Sequence, residues 1–154
     1  MMTDVNTPQT VSLIGGFMRF FAVFVALSLT ACATSPIAVN HSSAVPSSRI
    51  LAPQFLAQAQ YTGSLIIKRD GGFMGSACDV RVFVGAVPVA DLAPSEKVEL
   101  FVPLGEHVVA AISSSSFCGG GVSEAAVVIT PERQRILRIA SGQSGDIKIQ
   151  PSAF

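Results

Sequence analysis

His107 stands six residues before four consecutive serines, Ser113 to Ser116. A histidine beside a hydroxyl is the raw material of acyl transfer, in which the imidazole takes the serine proton and a carboxylate orients the ring. No Gly-x-Ser-x-Gly elbow occurs, however, and no carboxylate is placed to orient His107, so the serines read as loop. Gly119-Gly120-Gly121 would suit a phosphate cradle, but no Lys-Ser/Thr pair completes it and no helix is expected after it to offer its positive end. Asp70-Gly71-Gly72 brings one carboxylate, where calcium takes six to eight oxygens. Cys78, Cys118 and His107 could supply three zinc ligands, but they lack the close-spaced pair that marks such a site. The expectation is a chain that is not an enzyme and holds no metal or cofactor.

The third cysteine has a different setting. Leu29-Thr30-Ala31-Cys32 closes an apolar run of Phe, Val, Ala and Leu, and it resembles the lipobox of bacterial lipoproteins. That resemblance implies acylation of the Cys32 sulfur, cleavage before Cys32 and acylation of the new amino group. Residues 20–31 are apolar or small, short of the roughly 20 needed to span a bilayer and suited to the 7 to 15 of a leader. Extending the run to Val11 meets Arg19 and Gly15-Gly16. The stretch before Arg19 carries Asp4 and no lysine, whereas Met18-Arg19 gives the positive start a leader needs. Translation is therefore expected to start at Met18, a hypothesis that an unprocessed precursor retaining residues 1–17 in a mass spectrum would refute. Ala33, not aspartate, follows Cys32, which by the same resemblance points to the periplasmic face of the outer membrane. Each buried methylene contributes about 0.8 kcal/mol, so two or more chains hold firmly where one does not.

Removing 31 of 154 residues leaves 123, one domain by length. The mature part carries nine basic and nine acidic residues, and the whole chain is likewise neutral. Arg133, Arg135 and Arg138 are the nearest approach to a basic patch and read as a solvated strand face, so no nucleic acid is expected. Residues 33–60 are rich in Ser, Ala, Pro and Gln without apolar periodicity and predict, with Cys32, a flexible linker over 32–60. Such a tether would span roughly 30 Å. Leu51, Phe55 and Leu56 have helix-like spacing within it, against which Pro53 counts.

From Tyr61 the chain turns to short aliphatic and β-branched runs punctuated by Gly, Pro, Ser and Asp. Strands are predicted over 62–68, 79–84, 87–92, 97–102, 107–113, 123–130, 133–140 and 146–150. Val80, Val82 and Val84 alternate with Asp79, Arg81 and Phe83, and Val98, Leu100 and Val102 with Glu99 and Phe101. Ile136, Ile139, Ile147 and Ile149 add apolar surface at the end of the chain. Seven or eight short strands over residues 61–154 predict an all-β domain, a small antiparallel β-sandwich.

Val82-Phe83-Val84-Gly85, Pro88 to Leu92 and Pro103-Leu104-Gly105-Glu106-His107-Val108 resemble the PEGA-type β domains of bacterial envelope proteins. The whole domain, with Arg69 to Cys78 at its front, is similar to small proteobacterial lipoproteins. Both resemblances imply a β domain outside the cytoplasm. With Cys32 committed to lipid, two cysteines remain, too few for the three-cysteine cluster of an aconitase-like enzyme. In an oxidising compartment Cys78 and Cys118 are expected to form one disulfide, joining loops 69–78 and 113–121. Phe73 and Met74, flanked by glycines, are candidates for partner contact, the alternative being that their loop folds back on the core.

The functional expectation is a lipid-anchored envelope protein that acts as a non-catalytic binding or structural module accessory to an envelope assembly. It contacts the membrane through acyl chains on Cys32 and has an envelope protein as partner. A periplasmic carrier or sensor of a small ligand is the alternative, and an unrecognised hydrolase stands third.

Overall fold

The computed structural model describes residues 34–72, 75–142 and 145–153. The leader, Cys32, Phe73 and Met74 lie outside the described residues. The chain divides between Ala31 and Cys32, and the strands all belong to the second unit.

All eight predicted strands form, with ends shifted by at most two residues. A ninth, very short strand precedes them. In chain order they are β1 (Ser43–Ala44), β2 (Thr62–Arg69), β3 (Val80–Val84), β4 (Val87–Leu92), β5 (Glu96–Pro103), β6 (Gly105–Ser113), β7 (Ser123–Ile129), β8 (Arg135–Ser141) and β9 (Ile147–Pro151). They build two sheets, β1-β5-β2-β8-β9 and β4-β3-β6-β7. The domain is a small all-β sandwich. Most neighbours run antiparallel, but β2 pairs with β8 in parallel, Leu65 opposite Arg135 and Arg69 opposite Ile139, and β1 with β5 likewise.

Period-two alternation produces this directly. In β3 Val80, Val82 and Val84 are buried while Arg81 and Phe83 turn outward; in β5 Val98, Leu100 and Val102 do the same against Glu99 and Phe101. Leu65, Ile67, Leu137, Ile139 and Ile149 complete the opposing face of one continuous core. The β3–β4 turn rests on Gly85, whose φ of +60° costs a residue without Cβ little. Gly63 serves another purpose: a Cβ there would lie 2.6 Å from the Thr130 carbonyl oxygen and 2.7 Å from Ile129 Cγ2, so glycine lets the crossover after β7 approach β2.

The segment predicted as a flexible tether is ordered on the sandwich from Ser35 onward, a correction to the sequence reading. Ser35 bridges Gly71, β1 pairs with β5, and Ile50 bridges Ala90. Ser42 and Ala52 are buried. In place of a helix, Pro53–Phe55 forms a single 3-10 turn. The lack of apolar periodicity concealed this strap because backbone groups hold it. Its N–H and C=O atoms pair with strand backbone and lysines far away in sequence, which no periodicity reveals.

Candidate functional site

Cys78, Cys118 and the run Ser113 to Ser116 collect at one end of the sandwich, where β2 and β6 finish and β3 and β7 begin. Val80 pairs with Ser113 across β3 and β6, so the loops leaving those residues emerge side by side. Ser114 N–H donates to the Asp79 carbonyl at 2.8 Å, continuing the ladder into the loops. Cys78 and Cys118 form a disulfide there, with Cα atoms 6.3 Å apart.

Arg69 lies beneath that bridge, 2% exposed. It is the last residue of β2 and points inward, where a charge needs partners. Three backbone carbonyls provide them: Nη1 donates to Cys78 O at 2.7 Å and Leu92 O at 2.8 Å, and Nη2 to Gly75 O at 2.5 Å. Burial pulls its pKa below the ordinary guanidinium value, opposed by the more distant Asp79 and Glu96 carboxylates. The guanidinium thus ties loop 69–78 to the end of β4 from inside, while the disulfide ties it to the neighbouring loop. A cavity of about 10 Å³ between Arg69, Val80, Ser141 and Ile147 leaves room for one water at most.

On the outer face of the same five-stranded sheet that carries Arg69, Lys68 and Lys97 sit directly opposite each other on β2 and β5. Like charges in register repel, and the strap relieves this: Lys68 Nζ donates to Ile37 O and Lys97 Nζ to Val39 O, the latter at 2.6 Å. Lys68 is fully buried, and desolvation lowers its pKa, with Asp70 opposing and Arg138 adding to the shift. Arg138 Nη2 donates to Asp70 Oδ2 at 2.7 Å, whereas Asp70 Oδ1 and Arg138 Nε are buried without partners. At the rim Arg49 donates to Glu96 and lies 3.4 Å from Asp79; the Glu96 hydrogen bond is the main reason its pKa is raised.

The structure scatters the other candidate residues. His107 is on β6 at the opposite end, hydrogen-bonded through Nε2 to Pro103 O at 2.8 Å, remote from Ser113 to Ser116. Ser115 Oγ instead accepts from Phe117 N–H within its own loop. Gly119 and Gly120 adopt positive φ as turn residues. Among the described residues no three His, Cys, Asp or Glu side chains converge, and no helix is long and apolar enough to cross a membrane.

Sequence reading passed over Phe117. It is 96% exposed, one residue before the bridged Cys118, and Val122 beyond the glycines is 59% exposed. The signal was available: Phe117 is the one large apolar residue within a Ser/Gly run. At the opposite end an open cleft of about 560 Å³ runs between β7, the start of β8 and residues 151–153, with Arg133, Gln134 and Arg135 on its wall. Arg135 spans it by donating through Nε to Val128 O at 2.8 Å.

No protein-family model and no curated protein matches the chain. Among solved structures it is similar to a protein from Eubacterium rectale determined by NMR, with a TM-score of 0.40 and 12% identity over 62% of this chain and 93% of that one. A likeness at that level carries no conclusion about fold or function.

Proposed function

We propose that the chain is a lipid-anchored protein of the cell envelope, acting as a non-catalytic binding or structural module on the periplasmic face of the outer membrane. The lipobox-like Leu29 to Cys32 supports the anchor. The observation that carries the binding role is the clamped pair of loops. Arg69 and the disulfide hold residues 69–78 and 113–121 together, and Phe117 stands almost wholly in solvent at their tip. Ordering two glycine-rich loops in advance lowers the entropy lost when they are contacted. A carrier holding its ligand between the sheets finds little support, because side chains fill that space.

A photo-crosslinking residue placed in turn at position 117 and at position 126, in the far-end cleft, tests this in intact envelopes. At least one position should give a discrete protein adduct. No adduct from either, with a native mass that includes a bound small molecule, would overturn the docking role in favour of the carrier.

A further inference from the structure

The strap removes the distance that a tether would have put between domain and lipid. Ser35 N–H donates to Gly71 O at 2.8 Å and Gly71 N–H returns to Ser35 O at 3.1 Å, which fixes the strap at the root of loop 69–78. Three peptide steps separate Ser35 from Cys32, a reach of at most about 10 Å. The random-coil reach of roughly 30 Å for a 28-residue linker therefore does not apply. Whatever holds Cys32 holds this end of the sandwich.

Two loops at this end are unusual for the chain. Residues 71–78 and 113–123 contain no charged side chain, although acidic and basic residues are spread over the rest of the domain. The two uncharged segments are the ones the disulfide joins. They present Phe117 and Val122 to solvent. Loops of Gly, Ser and Ala carrying a few aromatic and aliphatic residues can enter the headgroup region without desolvating a charge. Aromatic side chains favour that region, and apolar burial there reaches about 5–10 Å deep.

We propose that the disulfide-clamped end of the sandwich is a second membrane contact: its two uncharged loops lie on the lipid surface beside the acylated Cys32, with Phe117 inserted at the interface. This rests on the anchor given under Proposed function and names the lipid surface as what the clamped loops meet. The far-end cleft with Arg133 and Arg135 then faces away from the membrane, open to a protein partner.

The chain has no tryptophan, so F117W introduces a single reporter. The full-length protein, processed in cells and purified from membranes, is placed in vesicles of phosphatidylethanolamine and phosphatidylglycerol with or without brominated acyl chains. The tryptophan at 117 should emit at shorter wavelength than in detergent-free buffer and lose most of its emission to bromine, while V128W, at the other end, keeps its emission in both. An acylated protein whose tryptophan at 117 stays water-exposed and unquenched overturns the membrane contact and leaves the anchor standing. Absence of acyl mass, with no co-flotation of protein and vesicles, overturns the anchor and the contact together. A tryptophan at 117 that is shielded from water yet unquenched by bromolipid points to a protein at this surface and also overturns the proposal.

Discussion

Replacing both cysteines, C78A/C118A, removes a crosslink that closes a loop with a sequence separation of 40. Loop-closure entropy for that separation is ~13 cal/mol/K, or about 4 kcal/mol at 25 °C, in the chain-entropy account. The native loops keep their Arg69 hydrogen bonds and the Ser114–Asp79 backbone bond, so the variant should remain folded. Most of the loss comes from the freer unfolded chain. Against a net stability of about 5–15 kcal/mol this is a large fraction, and for a domain of this size it lowers Tm by ~15 °C. Urea unfolding of the oxidised protein and the variant gives both quantities. The m-value should rise in the variant, because an uncrosslinked chain exposes more surface. A loss under about 1 kcal/mol with unchanged m would refute the idea that the bridge acts by restraining the unfolded chain.

Three further outcomes follow from the same structure. Arg69→Met strands the carbonyls of Gly75, Cys78 and Leu92 and should cost about 3 kcal/mol in urea unfolding; amide exchange should rise in residues 75–80, and Arg69→Lys should restore only part of it. Gly63→Ala drives a Cβ into the Thr130 carbonyl oxygen at 2.6 Å and should lower stability by about 1–3 kcal/mol, read as Tm; Gly85→Asn, in an open turn, should be nearly neutral. The Lys68 pKa lies below its ordinary 10.5 in the folded protein, so the unfolded chain binds more protons in the window between the lowered value and 10.5. Stability should rise with pH across that window, the desolvation penalty being fully present below it, and Lys68→Met should flatten that rise relative to the parent.

The sequence exposed what period-two alternation can carry. Val80-Val82-Val84 and Val98-Leu100-Val102 announced both their strands and their buried faces, and the gaps between such runs located the turns. Pairing partners were not legible. That β2 lies between β5 and β8, parallel to the latter, depends on contacts across 70 residues that leave no local mark. The 34–60 segment was misread for a related reason. Its order comes from backbone bridges at Ser35, Ser43 and Ile50 and from two lysines on distant strands, so composition suggested disorder where tertiary contacts impose a path. Nothing in the sequence marks Lys68 and Arg69, two cations at adjacent positions of an aliphatic strand, as interior. Both are buried, one under the strap and one under the disulfide, each held by carbonyl oxygens. The cysteine pair was legible from count and from the compartment the lipobox-like motif led one to expect, while Phe117 beside it was overlooked because the surrounding serines and glycines read as bare turn.

The central claim is that this sandwich is an envelope protein held by lipid at Cys32 with its remaining cysteines joined. Intact mass of the protein extracted from membranes, with and without reductant and alkylating agent, tests it most directly. The account predicts a species beginning at Cys32 that carries acyl mass and whose two other thiols alkylate only after reduction. An unacylated species that retains residues before Cys32 and alkylates without reduction would contradict it.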